Sequence, residues 1–216
     1  MPPDAVVIGA GPNGLSAAIA LARTGRSVAV LEANATIGGG CRSAELTLPG
    51  FVHDVCSAFH PMGAASPFFR ELDLRTEGLE WVEPPAALAH PLDDGTAVIL
   101  ERSIDATAAG LGSDGRMYRR LVEPLARAWD ALASDALGPL LRMPRHPLVL
   151  ARLGLPGLLP ARMLARTAFR SARTRALIGG LAAHSVLPLD APLTASFALM
   201  FAVTTHVASW PIASPG

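Results

Sequence analysis

The sequence predicts an α/β chain: a parallel strand–helix–strand unit at the N-terminus, then a small β-hairpin sheet, then a largely helical remainder. Three observations carry this expectation. Two short, β-branched apolar runs, Ala5 to Ile8 and Val28 to Leu31, flank a stretch rich in small residues. Further on, two alternating runs meet at Asp93-Asp94-Gly95, a hairpin signal. Beyond Ser103, apolar residues recur at i, i+3, i+4, the period of an amphipathic helix.

Ala5 to Ile8 suits a parallel strand covered on both faces. Gly9, Gly11 and Gly14 follow with G-x-G-x-x-G spacing. The first glycine permits a tight turn, the second lets a pyrophosphate approach the backbone, and the third lets helix and strand pack closely. Pro12 stands at the start of the next helix, where its missing N–H costs nothing. Leu15 to Thr24 is that helix, and Gly25 stops it. Its free amides and dipole face an anion bound at its start. Val28 to Leu31 is the second strand, and Glu32 lies 18 residues beyond Gly14, where an acid accepts a ribose hydroxyl. Together these residues spell a Rossmann-type dinucleotide site. An acid rather than an arginine at position 32 argues against a 2′-phosphate and leaves NAD and FAD open.

Glu32-Ala33-Asn34-Ala35-Thr36-Ile37-Gly38-Gly39-Gly40-Cys41-Arg42-Ser43 then resembles the second glycine signature of flavoproteins in the glutathione-reductase and amine-oxidase superfamily. With Asp4 to Gly14 and the later Leu48-Pro49-Gly50-Phe51, the whole chain resembles the phytoene-desaturase-like branch of the amine-oxidase superfamily. Cys56 replaces the final glycine of that branch's G-[FY]-x-x-D-x-G pattern. The resemblance implies FAD as cofactor, a Rossmann-type FAD-binding segment at 1–78, and a substrate or cap region at 79–216. It implies cofactor contacts at Gly9, Gly11, Pro12, Asn13, Gly14, Glu32, Ala33, Gly39, Gly40, Arg42 and Ser57. It further implies a desaturase, dehydrogenase or isomerase acting on a hydrophobic substrate such as a polyene or lipid. Because that family's FAD domain is completed by later segments, the chain reads as an N-terminal portion, incomplete at its C-terminus.

Ala44 to Leu48 and Phe51 to Val55 are the next expected strands, about the Pro49-Gly50 turn. Pro67 to Leu72 reads as a short helix and Leu79 to Val82 as a strand. Ala87 to Pro91 and Thr96 to Leu100 form the hairpin. Ser103 and Ser113 are candidate N-caps. Met117, Tyr118, Leu121, Val122, Leu125, Trp129 and Leu132 line one helix face, with a kink expected at Pro124. Pro144 to Pro160 reads as short helical pieces. Arg162, Arg166, Arg170 and Arg173 step by 4, 4 and 3, placing four positive charges on one helix face. That face is read as solvated or docked on the acidic half, its functional reading being peripheral contact with an anionic membrane. Pro192 to Ala208 is uncharged and reads as a buried helix.

All 18 basic residues are arginine, balanced by 18 acids. The balance hides an asymmetry, since residues 136–216 carry 8 Arg against Asp190 alone. Cys41 and Cys56 stand fifteen apart, neither a C-x-x-C pair nor a zinc set, which argues against disulfide reductase chemistry. The six histidines have no metal-ligand spacing. His60, before Pro61, reads as structural, and His184 and His206 as satisfied core histidines. No catalytic base stands out, because in flavoenzymes the cofactor carries the redox chemistry. The N-terminus enters a strand directly, so a cytoplasmic chain without a signal peptide is expected, associating with membrane only through the arginine face. No metal and no nucleic acid are expected, and nothing in the sequence sets an oligomeric state. Two other functions stay open: an NAD-dependent dehydrogenase at the same site, and a non-catalytic module binding nucleotide, membrane or partner.

Overall fold

The structure is a computed structural model describing residues 1–139 and 141–215. The chain forms two compact units, Met1–Phe59 and His60–Gly216.

In the first unit β1 (Ala5–Ile8), α1 (Pro12–Ala22) and β2 (Val28–Leu31) make the expected strand–helix–strand. The strands are parallel, in register from Ala5 opposite Val28 to Ile8 opposite Leu31. The Asp4 carboxylate accepts from the Ser27 amide (2.8 Å) and hydroxyl (2.7 Å), pinning the start of β1 to the start of β2. Coverage of both strand faces does not hold. Helix α1 packs on β1 and β2, but Val6 and Ile8, pointing the other way, are 53% and 87% exposed. Among the described residues this sheet has two strands, and nothing lies on its second face to bury them. β3 (Ser43–Glu45) and β4 (Val52–Asp54) form an antiparallel pair, shorter than the apolar runs suggested.

The second unit holds the hydrophobic core. It begins with α2 (Pro61–Ala65) and α3 (Pro67–Arg70), joined at Ser66. β5 (Leu79–Val82) and the hairpin β6 (Leu88–Pro91) and β7 (Ala97–Leu100) follow as expected. The helices are α4 (Ile104–Gly110), α5 (Gly115–Arg127), α6 (Trp129–Ala136), α7 (Pro147–Gly157), α8 (Ala161–Ala168), α9 (Ala172–Ala183) and α10 (Thr194–Ala208). β8 (Ile212–Pro215) pairs antiparallel with β5, a pairing across 130 residues that no local signal announces.

Helix α10 is the axis of this unit. It packs against α2, α5, α7, α8 and α9, and Ala195, Ala198, Leu199, Ala202 and Val203 are fully buried along it. Small residues let neighbours approach closely, and the large buried chains Tyr118, Phe169, Leu177 and Leu181 fill the space around them. Each buried leucine contributes about 1.5–3 kcal/mol relative to exposure. Burial explains α10 better than membrane insertion. No single helix among the described residues is long and apolar enough to cross a bilayer, although α7 and α8 pass such a test jointly as a pair bent by 94°.

Among the described residues the buried side-chain polar atoms are paired, His90 Nε2 excepted. The Arg102 carbonyl can only accept, so His206 Nδ1 donates to it (2.9 Å). Nε2 is then the acceptor for the Tyr118 hydroxyl (2.6 Å). Burial pushes the His206 pKa down and the Tyr118 pKa up, so both stay neutral. The reading of His206 as a satisfied core histidine holds. His184 differs: it is exposed, with its ring against Phe201 (4.8 Å) and Trp210 (5.1 Å).

Three helix expectations need correction. The single face expected from Met117 to Leu132 is divided between two helices, α5, which contains Pro124 and ends at Arg127, and α6, with the break at Ala128. Ser113 caps nothing; it lies in a 3₁₀ turn, Gly112–Asp114. The arginine face does not exist, because the chain breaks at Phe169–Ser171 between α8 and α9. Arg162 and Arg166 lie on α8, Arg170 lies in the break, and Arg173 lies in the first turn of α9. Arg162 pairs with Asp190 (3.2 Å), and Arg173 donates to Thr96 Oγ1 and the Ala97 carbonyl.

The residue that makes this break is Asp114. Its buried carboxylate accepts from the Arg170 amide (3.0 Å) and the Ser171 amide (2.9 Å), while Ser171 Oγ accepts from the Thr174 amide (3.0 Å). Burial opposes the charge, yet these amides outweigh it and hold the carboxyl below its ordinary value. A depressed pKa gives stability that is complete above the ordinary aspartate value and is lost as pH falls through the lowered one. Asp114→Ala is therefore expected to cost about 1–3 kcal/mol, read as a lower urea midpoint. The gap from wild type should begin to narrow below that ordinary value and close only as pH falls through the lowered one.

Candidate nucleotide-binding site

All eleven residues expected at the cofactor lie in the first unit, and the structure draws them around one feature. Gly9, at φ +95°, turns the chain out of β1, and Gly11 is the N-cap of α1. Pro12, Asn13 and Gly14 form the first turn, where a helix leaves its amides without carbonyl partners. A Cβ on Gly14 would stand 2.0 Å from the Gly9 carbonyl oxygen, so only glycine fits where helix and strand cross.

The second glycine run folds onto the first. Gly38 N–H donates to the Ala10 carbonyl (2.8 Å). Gly39, at φ +55°, lies so close to Gly11 that a Cβ on it would meet Gly11 Cα at 2.9 Å. Gly39–Cys41 is a 3₁₀ turn, tied onward by the Ser57 amide, which donates to the Gly40 carbonyl (2.9 Å). Arg42 turns back on this run, its Nε donating to the Gly39 carbonyl (2.9 Å). Two bare backbone segments thus meet at the start of a helix, with no side chain to keep a phosphate away.

Glu32 closes the other side. One carboxylate oxygen accepts from the Ala10 amide (2.8 Å), the other from the Asn34 amide (2.9 Å) and side chain (2.7 Å). The Ala10 amide, then those of Asn34, hold the Glu32 pKa down to about 2. A carboxylate has about four lone-pair sites, so this anion still has acceptor capacity for a ribose diol. Ala33 is exposed beside it. The set fits the adenosine and pyrophosphate portion of a dinucleotide: amides and helix start for phosphate, an ionised acid for ribose, and glycines for close approach. The sequence did not reveal that Ala10 and Asn34 would orient Glu32; the Glu-x-Asn spacing was the available signal for Asn34.

The match to known proteins agrees with this geometry. Residues 7–72 match the NAD(P)-binding Rossmann-like domain family. A limonene dehydrogenase polypeptide from Castellaniella defragrans is 32% identical over 122 residues, 55% of this chain and 22% of that protein. Hydroxyneurosporene desaturase of Cereibacter sphaeroides is 31% identical over 202 residues, 84% of this chain and 39% of that protein. The resemblance to desaturase-like oxidoreductases is borne out by these relatives. Among solved structures, a putrescine oxidase with putrescine bound superposes with a TM-score of 0.61 over 98% of this chain and 46% of its own. At 21% identity that likeness shows the fold alone. The chain spans less than half the length of each of these proteins.

The Glu32 anchor has a direct readout in amide exchange. Glu32→Ala is expected to raise the exchange rates of the Ala10 and Asn34 amides, followed by NMR, while α1 stays protected. In the wild type, the contribution of the ionised carboxylate is complete above the ordinary glutamate value of 4.5 and disappears as pH falls toward 2. Protection at Ala10 should therefore persist at about pH 3 and be lost as pH falls through about 2.

Proposed function

We propose that this chain supplies the adenosine and pyrophosphate cradle of an FAD-dependent oxidoreductase that acts on a hydrophobic substrate. The observation that carries the proposal is the packing of Gly39 on Gly11, with Gly38 bonded to Ala10. A single glycine-rich turn serves any dinucleotide. A second glycine turn folded onto it belongs to the signature that resembles flavoproteins. The pyrophosphate is bound by the Asn13 and Gly14 amides and the dipole of α1, and the adenosine ribose by Glu32. Bound FAD supplies the electron-pair acceptor, and the chain supplies position and electrostatics. The hydrophobic substrate rests on two relatives named for limonene and hydroxyneurosporene, both apolar terpenoids. Desaturation, dehydrogenation and isomerisation all belong to this reading.

The second reading is NAD at the same cradle, favoured by the description of the matching domain family. Titration of the chain with FAD, followed by flavin fluorescence and competed with ADP, NAD and NADP, separates the two. FAD is expected to bind and to be displaced by ADP. NADP should compete at least about tenfold less well than NAD, since its 2′-phosphate meets the Glu32 carboxylate. Gly39→Ala should abolish the fluorescence change, because its Cβ would force the two turns apart. Unchanged flavin fluorescence together with calorimetric NAD binding would establish the dehydrogenase reading instead.

Contact with a membrane forms part of the same proposal, relocated from the four-arginine face to α7 and α8. Leu148, Leu155, Leu158 and Met163 are exposed there, with Arg152 and Arg166 on the same two helices. Such a composition suits the surface of an anionic bilayer, where each basic charge adds about 1 kcal/mol. Flotation with vesicles containing phosphatidylserine should carry the chain upward, and Leu148→Asp with Leu155→Asp should leave it at the bottom.

A further inference from the structure

The two cysteines, separated by fifteen positions in the sequence, flank a strand pair at its open end. β3 and β4 are antiparallel, with Ser43 opposite Asp54, Ala44 opposite His53 and Glu45 opposite Val52. The pairing continues beyond the strands toward the glycine turn. The Val55 amide donates to the Arg42 carbonyl (2.9 Å), and the Ser57 amide donates to the Gly40 carbonyl (2.9 Å). Arg42 with Val55 and Gly40 with Ser57 are therefore hydrogen-bonded pairs. Cys41 and Cys56 lie between these two bonds, Cys41 at the end of the 3₁₀ turn and Cys56 two residues past β4. The Cys41 amide donates to the Gly38 carbonyl (2.9 Å) within that turn.

Two residues bracketed by such bonds are held close across the pairing, on the order of the roughly 4.4–6.8 Å between Cα atoms that a disulfide spans. A further observation brings the Cys56 side chain to this turn. A Cβ on Gly40 would lie 3.9 Å from both Cβ and Sγ of Cys56, so the Cys56 side chain rests on the turn that carries Cys41. Both cysteines are exposed thiols, open to a reagent from solvent.

We propose that Cys41 and Cys56 form a reversible cross-strand disulfide by exchange with a small-molecule disulfide such as oxidised glutathione. One thiol loses its proton to solvent, and its thiolate attacks a glutathione sulfur, breaking that S–S bond and releasing one glutathione thiolate. The second cysteine, deprotonated in turn, displaces the remaining glutathione, which leaves as thiolate. Both leaving groups take up the released protons. Two cysteine thiols are oxidised to one disulfide, and one glutathione disulfide is reduced to two thiols. Burial, the Asp54 carboxylate and the neighbouring Cys56 raise the Cys41 pKa, so exchange through Cys41 quickens as pH rises.

The bond would act on the nucleotide cradle without being part of it. It would staple the Gly38–Cys41 turn to the end of β4, fixing the loop whose Gly39 lies on Gly11. This inference does not depend on which dinucleotide the cradle takes, and its test contains no nucleotide.

The test is oxidation of the full chain with excess glutathione disulfide at mildly alkaline pH, read by intact mass and by non-reducing peptide mapping. Wild type is expected to lose the mass of two hydrogens, carry no glutathione, and yield one linked peptide pair containing Cys41 and Cys56. Cys41→Ser and Cys56→Ser should each gain one glutathione on the remaining thiol, and dithiothreitol should restore every form. Wild type that accumulates one or two stable glutathione adducts, links chain to chain, or stays reduced while the single variants react would overturn the proposal.

Discussion

The approach of Gly39 to Gly11 is the constraint on which the first unit depends. A carbon atom added to Gly39 would sit 2.9 Å from the Gly11 Cα, so the two turns meet backbone to backbone. The Gly38–Ala10 hydrogen bond fixes their relative position, and the Ala10 amide itself is held by Glu32. One short stretch of chain therefore organises the phosphate-facing amides, the ribose-facing acid and the hairpin that follows. Glycine is required at these points for contact distance as well as for backbone angle.

The two units are stabilised differently. The second has a contiguous apolar core around α10, with Tyr118, His206, Trp129 and Thr194 giving up their polar atoms to defined partners inside it. In the first, Ala10 and Ala18 are the buried apolar residues among those described, and Ile8 and Leu31 face solvent. Backbone bonds, tight glycine contacts and charged anchors such as Asp4 on Ser27 carry much of its order. Such a unit gains stability from whatever binds it, because a ligand that binds only the folded form shifts the equilibrium by mass action.

Much of the candidate site was legible because its logic is local. Gly9, Gly11 and Gly14 sit within six residues, and their roles follow from the strand before and the helix after. Glu32 lies at the end of the next strand, a position set by element lengths. The cysteines show the opposite case. Their sequence spacing matched no C-x-x-C or zinc pattern, yet an antiparallel return about Pro49-Gly50 brings their segments alongside each other. The arginines misled for a related reason: steps of 4, 4 and 3 describe one helix face only while the helix continues, and Asp114, 56 residues before Arg170, ends it.

Local sequence suffices for the strand–helix–strand unit, the nucleotide cradle, the β6–β7 hairpin and the buried character of α10. Each is written in turn chemistry or hydrophobic period over a few consecutive residues. The β5–β8 pairing, the break between α8 and α9, the Tyr118–His206 hydrogen bond and the approach of the Cys41 and Cys56 segments come from the folded chain alone. Each of these joins groups distant in sequence, and a side chain's partner across such a distance is fixed by packing and backbone register, which no local pattern records. The glycines of the opening stretch belong to both classes: their spacing announced a dinucleotide, and their contact with Gly38 and Gly39 showed how the cradle is held closed.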